Sequence, residues 1–393
     1  RFSSNGGPFG VQDNPAGATP VVDSGPSAAV IPSGAAYGSP IFANLSSSTN
    51  PCIVNPNDLN PADNCPSPVN LFSVSQKLRP GYVENFNFNV QRSLGPGAIA
   101  QVGYVGSEGH HLRNLVDINE TNIATGLRPY ASQYPNYGVI NQIQSEAISN
   151  YNSLQALLRF ASWHHLTSQA SYTWGHSLDE SSEIYLYNPQ DSYCFRCEYG
   201  NSDFDVRNTF STYLTYDVPG GGSMKLLTNG WQLNSLLNFH GGQPFTVYSS
   251  NGGGSGNGEY AERANFNPGM SAYKGVSHSV SDDSVSWINP DAFLPSASGA
   301  YGNTPRNVLH GPGFEDVDLS VFKNTKITER VTAQFRVEMF NLFNRLNLAA
   351  PGDGYCTDSS SCAIGTTVGA NYGAPGIGAG EPYNTQLALK ILF

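Results

Sequence analysis

From about residue 80 onward, apolar and polar residues alternate with a period of two, the signature of strands with two different environments. In YVENFNFNVQRSL, Phe86, Phe88 and Val90 oppose Asn85, Asn87, Asn89 and Gln91. After Gly95-Pro96-Gly97, AIAQVGYVGS returns with Ala98, Ala100, Val102 and Tyr104 on one side, which predicts a hairpin. A second hairpin sets Leu154, Ala156, Leu158 and Phe160 beside Leu166, Ala170, Tyr172 and Trp174, joined at Trp163-His164-His165, with Thr167, Gln169, Ser171 and Thr173 opposite. Phe210, Leu214 and Tyr216, then Trp231, Leu233, Leu237 and Phe239, continue the pattern around Pro219-Gly220-Gly221-Gly222. A third hairpin pairs Val317, Leu319 and Val321 with Val331 through Met339 across a turn from Lys323 to Glu329. RVTAQFRVEMFNLFNRL has a helix-compatible composition, but the period-two match from Val331 to Met339 is better. The last segment, NTQLALKILF, places Leu387, Leu389, Ile391 and Phe393 on one face and Gln386, Ala388 and Lys390 on the other.

The polar faces are built from neutral residues. Asn, Gln, Ser and Thr suit the watery lumen of a wide barrel, whereas a soluble sandwich more often wets its outer face with Lys and Glu. Gln334, Arg336 and Glu338 alternate with Phe335, Val337 and Met339, so these charges must also meet water, most simply in a lumen. The connections split into two kinds. Long ones span about 111–148, 179–206, 249–310 and 348–383, and short ones lie near 95, 163, 221 and 326. The predicted fold is all-β, an antiparallel transmembrane β-barrel segment with long extracellular loops. Residues 1–80 read as a loop-rich barrel segment and 81–393 as the C-terminal barrel segment.

Composition supports this and removes other classes. Only 12 % of the 393 residues are charged, against about 25 % in an ordinary soluble domain. Mean hydropathy is nevertheless −0.30, because neutral polar residues replace the charges. With 21 Tyr, 20 Phe and 42 Gly, strands and turns are favoured over helices. A net charge of −11 argues against a nucleic-acid partner. The sequence lacks an 18-residue apolar run, which excludes a helical span but leaves barrel strands open. The start, Arg-Phe-Ser-Ser, suggests a processed product or a fragment.

Six cysteines fall in local pairs, Cys52 with Cys65, Cys194 with Cys197, and Cys356 with Cys362, and are read as loop disulfides of an oxidising compartment. Cys194-Phe195-Arg196-Cys197 also has zinc-ligand spacing, but lacks a second such pair, so neither metal nor cofactor is expected. Asp203 and Asp205 could share a strand face as glycosidase carboxylates do, against a simpler reading in which they bond backbone and Arg207. His110, His111, His164 and His165 are weaker acid, base or metal candidates. Tyr172, Trp174, Tyr213, Tyr216 and Trp231 are expected in the aromatic girdle. The loop tyrosines Tyr185, Tyr187, Tyr193, Tyr248 and Tyr260 are candidates for stacking on a ligand.

Several blocks, YVENFNFNVQRSLGPGAIAQVGYVGSEGHHL (82–112), YNSLQALLRFASWHHLTSQASYTWGHSLD (151–179), DFDVRNTFSTYLTYDVP (203–219), WINPDAFLPSASGAYGNTPRNVLHGPG (287–313) and DVDLSVFKNTKITERVTAQFRVEMFNLFNRLNL (316–348), resemble the Oar-like TonB-dependent outer-membrane receptors in content and order. The resemblance implies the C-terminal half of a large barrel without its plug, set in outer-membrane lipid and driven through the parent protein by the TonB complex. It also implies capture of a bulky nutrient such as an oligosaccharide, a siderophore or a peptide. Leu387, Leu389, Ile391 and Phe393 resemble the membrane-insertion signal of such barrels. The alternatives are a secreted β-rich glycoside hydrolase or carbohydrate-binding protein, and a surface or filament subunit that self-associates through its strand edges.

Overall fold

A computed structural model describes residues 69–133, 137–183, 189–221, 224–249, 262–273, 284–348 and 382–393, with short stretches at 21–22, 29–30, 255, 351, 354–356, 362–363 and 366–368. Nine antiparallel strands form the continuous path of an 11-stranded main sheet: β1 Tyr82–Gly95, β2 Ala98–Asp117, β3 Tyr137–Trp163, β4 Leu166–Asp179, β5 Asn208–Asp217, β6 Trp231–His240, β7 Phe314–Lys326, β8 Thr332–Phe340 and β9 Asn384–Leu392. Each strand pairs with its sequence neighbours, an up-and-down meander. The sheet is open: among the described residues, β1 and β9 each pair on one side only.

The register makes the two faces continuous. Phe88 lies opposite Tyr104, Tyr104 opposite Leu154, Leu154 opposite Trp174, and Tyr172 opposite Phe210. Phe210 then meets Phe239, Leu237 meets Val317, Val321 meets Val337, and Val337 meets Leu387. Directly opposed residues point to one side of a sheet, so the apolar sets seen strand by strand merge into a single surface. Much of that surface is exposed: Phe88 at 70 %, Val90 at 56 %, Leu387 at 69 % and Leu389 at 70 %. An apolar band of this breadth is stable when hydrocarbon covers it. Phe86 lays its ring over the Gly106 opposite it, where a Cβ would collide. Lys323 shares the apolar face near its turn end. Its Nζ stands 5.6 Å from the Trp231 ring centroid and donates to Asn229 O at 2.5 Å, carrying the charge out of the band.

The opposite face is cross-linked by polar side chains, most of them neutral. Asn234 accepts from Thr215 Oγ1 at 3.0 Å, Asn238 from Ser211 Oγ at 2.9 Å, Asp217 from Gln232 Nε2 at 2.8 Å and Asn324 from Gln334 Nε2 at 2.8 Å. Arg336 donates to Gln334 at 2.6 Å and lies 4.5 Å from the Phe322 ring. This is the predicted wet face. Tyr213 belongs to it, contrary to its placement in the girdle: it lies opposite Leu236 and Gln169, one residue out of phase with Leu214 and Tyr216.

The expected asymmetry of connections is present. Short turns close β1–β2 and β3–β4, the latter through His164 and His165 with φ of 46° and 70°, the two left-handed residues a tight hairpin requires. A single helical turn, Lys225–Thr228, sits in the β5–β6 connection on the same side. No helix among the described residues is long and apolar enough to cross a membrane. On the other side, half of the segment expected as a loop at 111–148 is strand, because β2 runs to Asp117 and β3 starts at Tyr137. Register shifts between Gly109 and Leu112, and again between Leu112 and Asn114, interrupt the alternation there, while Leu115, Val116, Ile140 and Ile143 are buried. His110 and His111 therefore lie within β2, not in a loop. Most of 1–80 falls outside the described residues. Its final strand, Val69–Val74, adds in parallel to β3 at Tyr137–Ile143, above the point where β4 stops.

Candidate functional site

The long loops begin where the strands lose their apolar face, and buried ion pairs hold them together. The β2–β3 loop is organised by Asp117, which accepts from Ile140 N at 2.7 Å and Asn119 N at 2.8 Å and pairs with Arg128 at 3.2 Å. Glu120, fully buried, then reaches across: it accepts from Ser192 N at 2.6 Å in the β4–β5 loop and from Tyr301 Oη at 2.8 Å in the β6–β7 loop. Tyr193 donates its hydroxyl to Glu120 O at 2.8 Å. Desolvation and the nearby Glu120 and Asp117 carboxylates push that hydroxyl's pKa up, keeping it a donor.

A second knot joins the β4–β5 and β6–β7 loops through Glu198 and Arg263, both nearly buried, at 2.6 Å. Arg263 also donates to Thr304 O at 2.8 Å, and Gln190 bridges Arg263 N at 2.7 Å and Gly302 O at 3.1 Å. The third knot centres on Arg306, which forms a short pair with Asp179 at the end of β4 and reaches Asp203 at 3.4 Å and Glu198 O at 2.9 Å. Asn307 continues it, donating to Asn201 O at 2.8 Å and Asp203 at 2.5 Å. Beneath these contacts Phe245, Val247, Ala264, Ile288, Ala292, Phe293 and Leu309 form a core belonging to the loop itself.

Asp203 and Asp205 do not face each other across a cleft. Asp205 accepts from Ser177 N at 2.7 Å and pairs with Arg207 at 2.7 Å, while Asp203 belongs to the Arg306 knot. Asp205 bonds backbone and Arg207 as the simpler reading expected, whereas Asp203 is held by Arg306 and Asn307 instead. Among the described residues no group of three or more His, Cys, Asp or Glu is placed to hold a metal. Cys194 and Cys197 form a disulfide across the short 3-10 turn Phe195–Glu198. Cys356 and Cys362 lie opposite each other in a short ladder, and Cys52 and Cys65 fall outside the described residues. Of the loop tyrosines, Tyr193 is 55 % exposed on the rim, but Tyr248 is buried at 8 %, so it packs the loop core instead of facing a ligand. Tyr185, Tyr187 and Tyr260 lie outside the described residues. The residues that tie the loops together, Glu120, Glu198, Arg263 and Arg306, were not singled out from the sequence. Each stands among other charged residues in its loop, so nothing in the sequence marks it out.

His310 lies at the base of the β6–β7 loop. Its Nε2 is buried without a hydrogen-bond partner among the described residues, and burial lowers its pKa from 6.5, with Arg207 and His176 adding to the effect and Asp205 opposing it. The unfolded loop therefore binds the proton at a higher pH than the folded loop does, so loop stability falls as pH drops through 6.5 toward the lowered value. Limited proteolysis of the 241–313 loop should accelerate over that window in the native protein and lose this dependence in His310→Gln.

An open sheet with a hydrocarbon-facing side, a polar side and one set of long, internally bonded loops defines a wall of a membrane barrel. A family model described as an outer membrane beta barrel domain matches residues 4–374, and the chain belongs to that family. This places it in the outer membrane. Among solved structures, it is similar to the outer membrane transporter YddB from Escherichia coli (10 % identity, TM-score 0.41, 83 % of this chain and 34 % of that one). It is also similar to P. aeruginosa FpvA bound to heterologous pyoverdines (12 %, 0.40, 80 % and 27 %) and to the ferric-catecholate import receptor Fiu from E. coli (9 %, 0.38, 80 % and 28 %). The chain spans about a third or less of the length of these proteins. No curated protein matches it.

Proposed function

We propose that this chain supplies barrel wall and ligand-capturing loops to an outer-membrane receptor of the Oar-like, TonB-dependent kind, which imports a bulky nutrient such as an oligosaccharide, a siderophore or a peptide. The observation that carries the reading is the set of long loops on one side, locked to one another by the Glu120, Glu198–Arg263 and Arg306 contacts. A wall serving only as a support has no need of loops with their own core. In this reading further strands and a plug from the parent protein complete the barrel at the free edges of β1 and β9, and TonB drives import through the parent.

Two experiments test it. The chain should fold, by heat-modifiable migration and β-type circular dichroism, only with detergent or lipid present; a monodisperse, folded monomer in plain buffer would overturn the membrane assignment. Cells lacking the parent gene should lose growth on one class of bulky nutrient. Growth should return with the intact gene and not with one lacking residues 189–202. Unchanged growth across siderophores, oligosaccharides and peptides would remove the receptor role. The two free edges favour self-association as a second reading, which predicts concentration-dependent cross-linking of the whole protein in detergent.

A further inference from the structure

The chain leaves Val69–Val74 on the far side of β3 and must cross β3 and β2 to begin β1. The crossing strap is pinned by Ser75 N donating to Ile143 O at 2.9 Å and by Arg79 N donating to Oγ of the buried Ser145 at 2.8 Å. Between this strap, β3 and the Cys194–Cys197 turn lies a cavity of about 670 Å³.

The cations around it are distinctive. On the loop side of the protein Arg128, Arg207, Arg263, Arg306 and Arg345 each have a carboxylate partner. Lys77, Arg79 and Arg196 have no such ion pair among the described residues, and all three line this one cavity, with His111 in its wall. Arg113, exposed and likewise without an ion pair among the described residues, stands two residues further along β2. In a chain of net charge −11, carboxylates to neutralise these side chains are plentiful, yet they remain unpaired around a hollow. The other lining groups include the amides of Gln76, Gln142 and Gln144, the ring of Phe195 and two carboxylates, Glu146 and Glu180. Glu180 is already engaged, accepting from Ile148 N at 3.1 Å, and burial raises its pKa against the lowering effects of that hydrogen bond and of the Arg196 charge.

We propose that this cavity binds a small polyhydroxylated anion, a sugar acid or sugar phosphate, with Lys77, Arg79 and Arg196 on its carboxylate or phosphate and Gln76, Gln142 and Gln144 on its hydroxyls. Guanidinium forks suit both oxyanions, amides both donate to and accept from hydroxyls, and the Phe195 ring offers an apolar face to the C–H side of a sugar ring. The two carboxylates select a ligand with one anionic group over a multiply charged one. The disulfide fixes the turn that places Phe195 and Arg196 in the wall. The assignment rests on the receptor reading for its biological purpose, since it names what such a receptor would capture, but binding can be measured without transport.

The test uses the whole protein in detergent, its fold checked by heat-modifiable migration, titrated calorimetrically with maltobionate, maltose 1-phosphate and maltose. At least one of the two anions should bind, more weakly as salt is added, and maltose should bind at least about tenfold less tightly, the size of one charge-assisted hydrogen bond. Which anion binds separates the carboxylate from the phosphate source. Arg79→Gln with Arg196→Gln should reduce that affinity by at least about tenfold while heat-modifiable migration stays unchanged. Equal binding of maltose, no binding of either anion to folded protein, or an unaffected double variant would overturn the site. Anion binding without any nutrient uptake would leave the site standing and remove the receptor reading. Uptake of another nutrient with no anion binding would do the reverse.

Discussion

Replacing Arg306 with methionine should detach the long loops while leaving the barrel wall in place. Arg306 is 12 % exposed by side chain and Asp179 only 4 %, so the substitution strands a carboxylate in a site built for an ion pair. Removing one partner of a buried pair costs about 3–5 kcal/mol, most of it from the charge left behind. Asp203, at 43 % exposure, can turn to water and contributes little to that loss. Hydrogen exchange should report the outcome: amides of 189–202 and 241–249 lose protection, whereas those of β5 and β6, held by their own ladders, do not. Pairing Arg306→Met with Asp179→Asn should recover most of the loss, because no unpaired charge remains. Equal loss of protection in strands and loops would show that Arg306 supports the sheet itself. No loss anywhere would show that the loops are held by their apolar core alone.

A charge placed on the apolar face should be about as damaging, and its neighbour on the other face should tolerate the same charge. Leu158 of β3 lies opposite Ala100 and Ala170, within the apolar surface and well inside the aromatic residues at either end of the strand. Arginine there should cost about 2–4 kcal/mol, the range for a basic residue near the bilayer midplane. Gln155 lies on the polar face opposite Gly103 and Thr173, and β3 already carries Arg159 on that face. Gln155→Arg should change stability by no more than about 0.5 kcal/mol. The comparison is made by urea titration of the whole protein in lipid vesicles. Equal effects would refute the face assignment, and with it the membrane orientation of the sheet.

The wall was legible in the sequence because period-two alternation is local: each of the β1–β2, β3–β4 and β7–β8 hairpins shows its two faces within about ten residues. The upper parts of β2 and β3 were not, since bulges shift the phase and buried residues replace the alternation near Asn114 and Ile143. Tyr213 was misplaced for a related reason: a tyrosine amid other strand aromatics looks like girdle whichever face it occupies, and only the register with Leu236 decides. The loop knots were hidden more deeply. Asp179 and Arg306 are 127 residues apart, and Glu120 and Tyr301 are 181 apart, separations at which no pattern along the chain links one to the other. Tyr248 shows the same limit, because its loop has a core that composition does not reveal.

The cross-bracing of the loops also has a thermodynamic consequence for anything that docks on them. Loops that are separately mobile must lose backbone and rotamer freedom when a guest arrives, at about 1–2 kcal/mol for each residue that becomes fixed. Here Glu120 joins three loops, and Glu198 and Arg306 join two of them again, so that ordering takes place when the chain folds and is not repeated at each encounter. Such a mouth behaves as a preorganised plate. Its contacts translate into affinity with little entropic loss, and any opening has to be a collective motion of several loops, slow compared with the flicker of a single one.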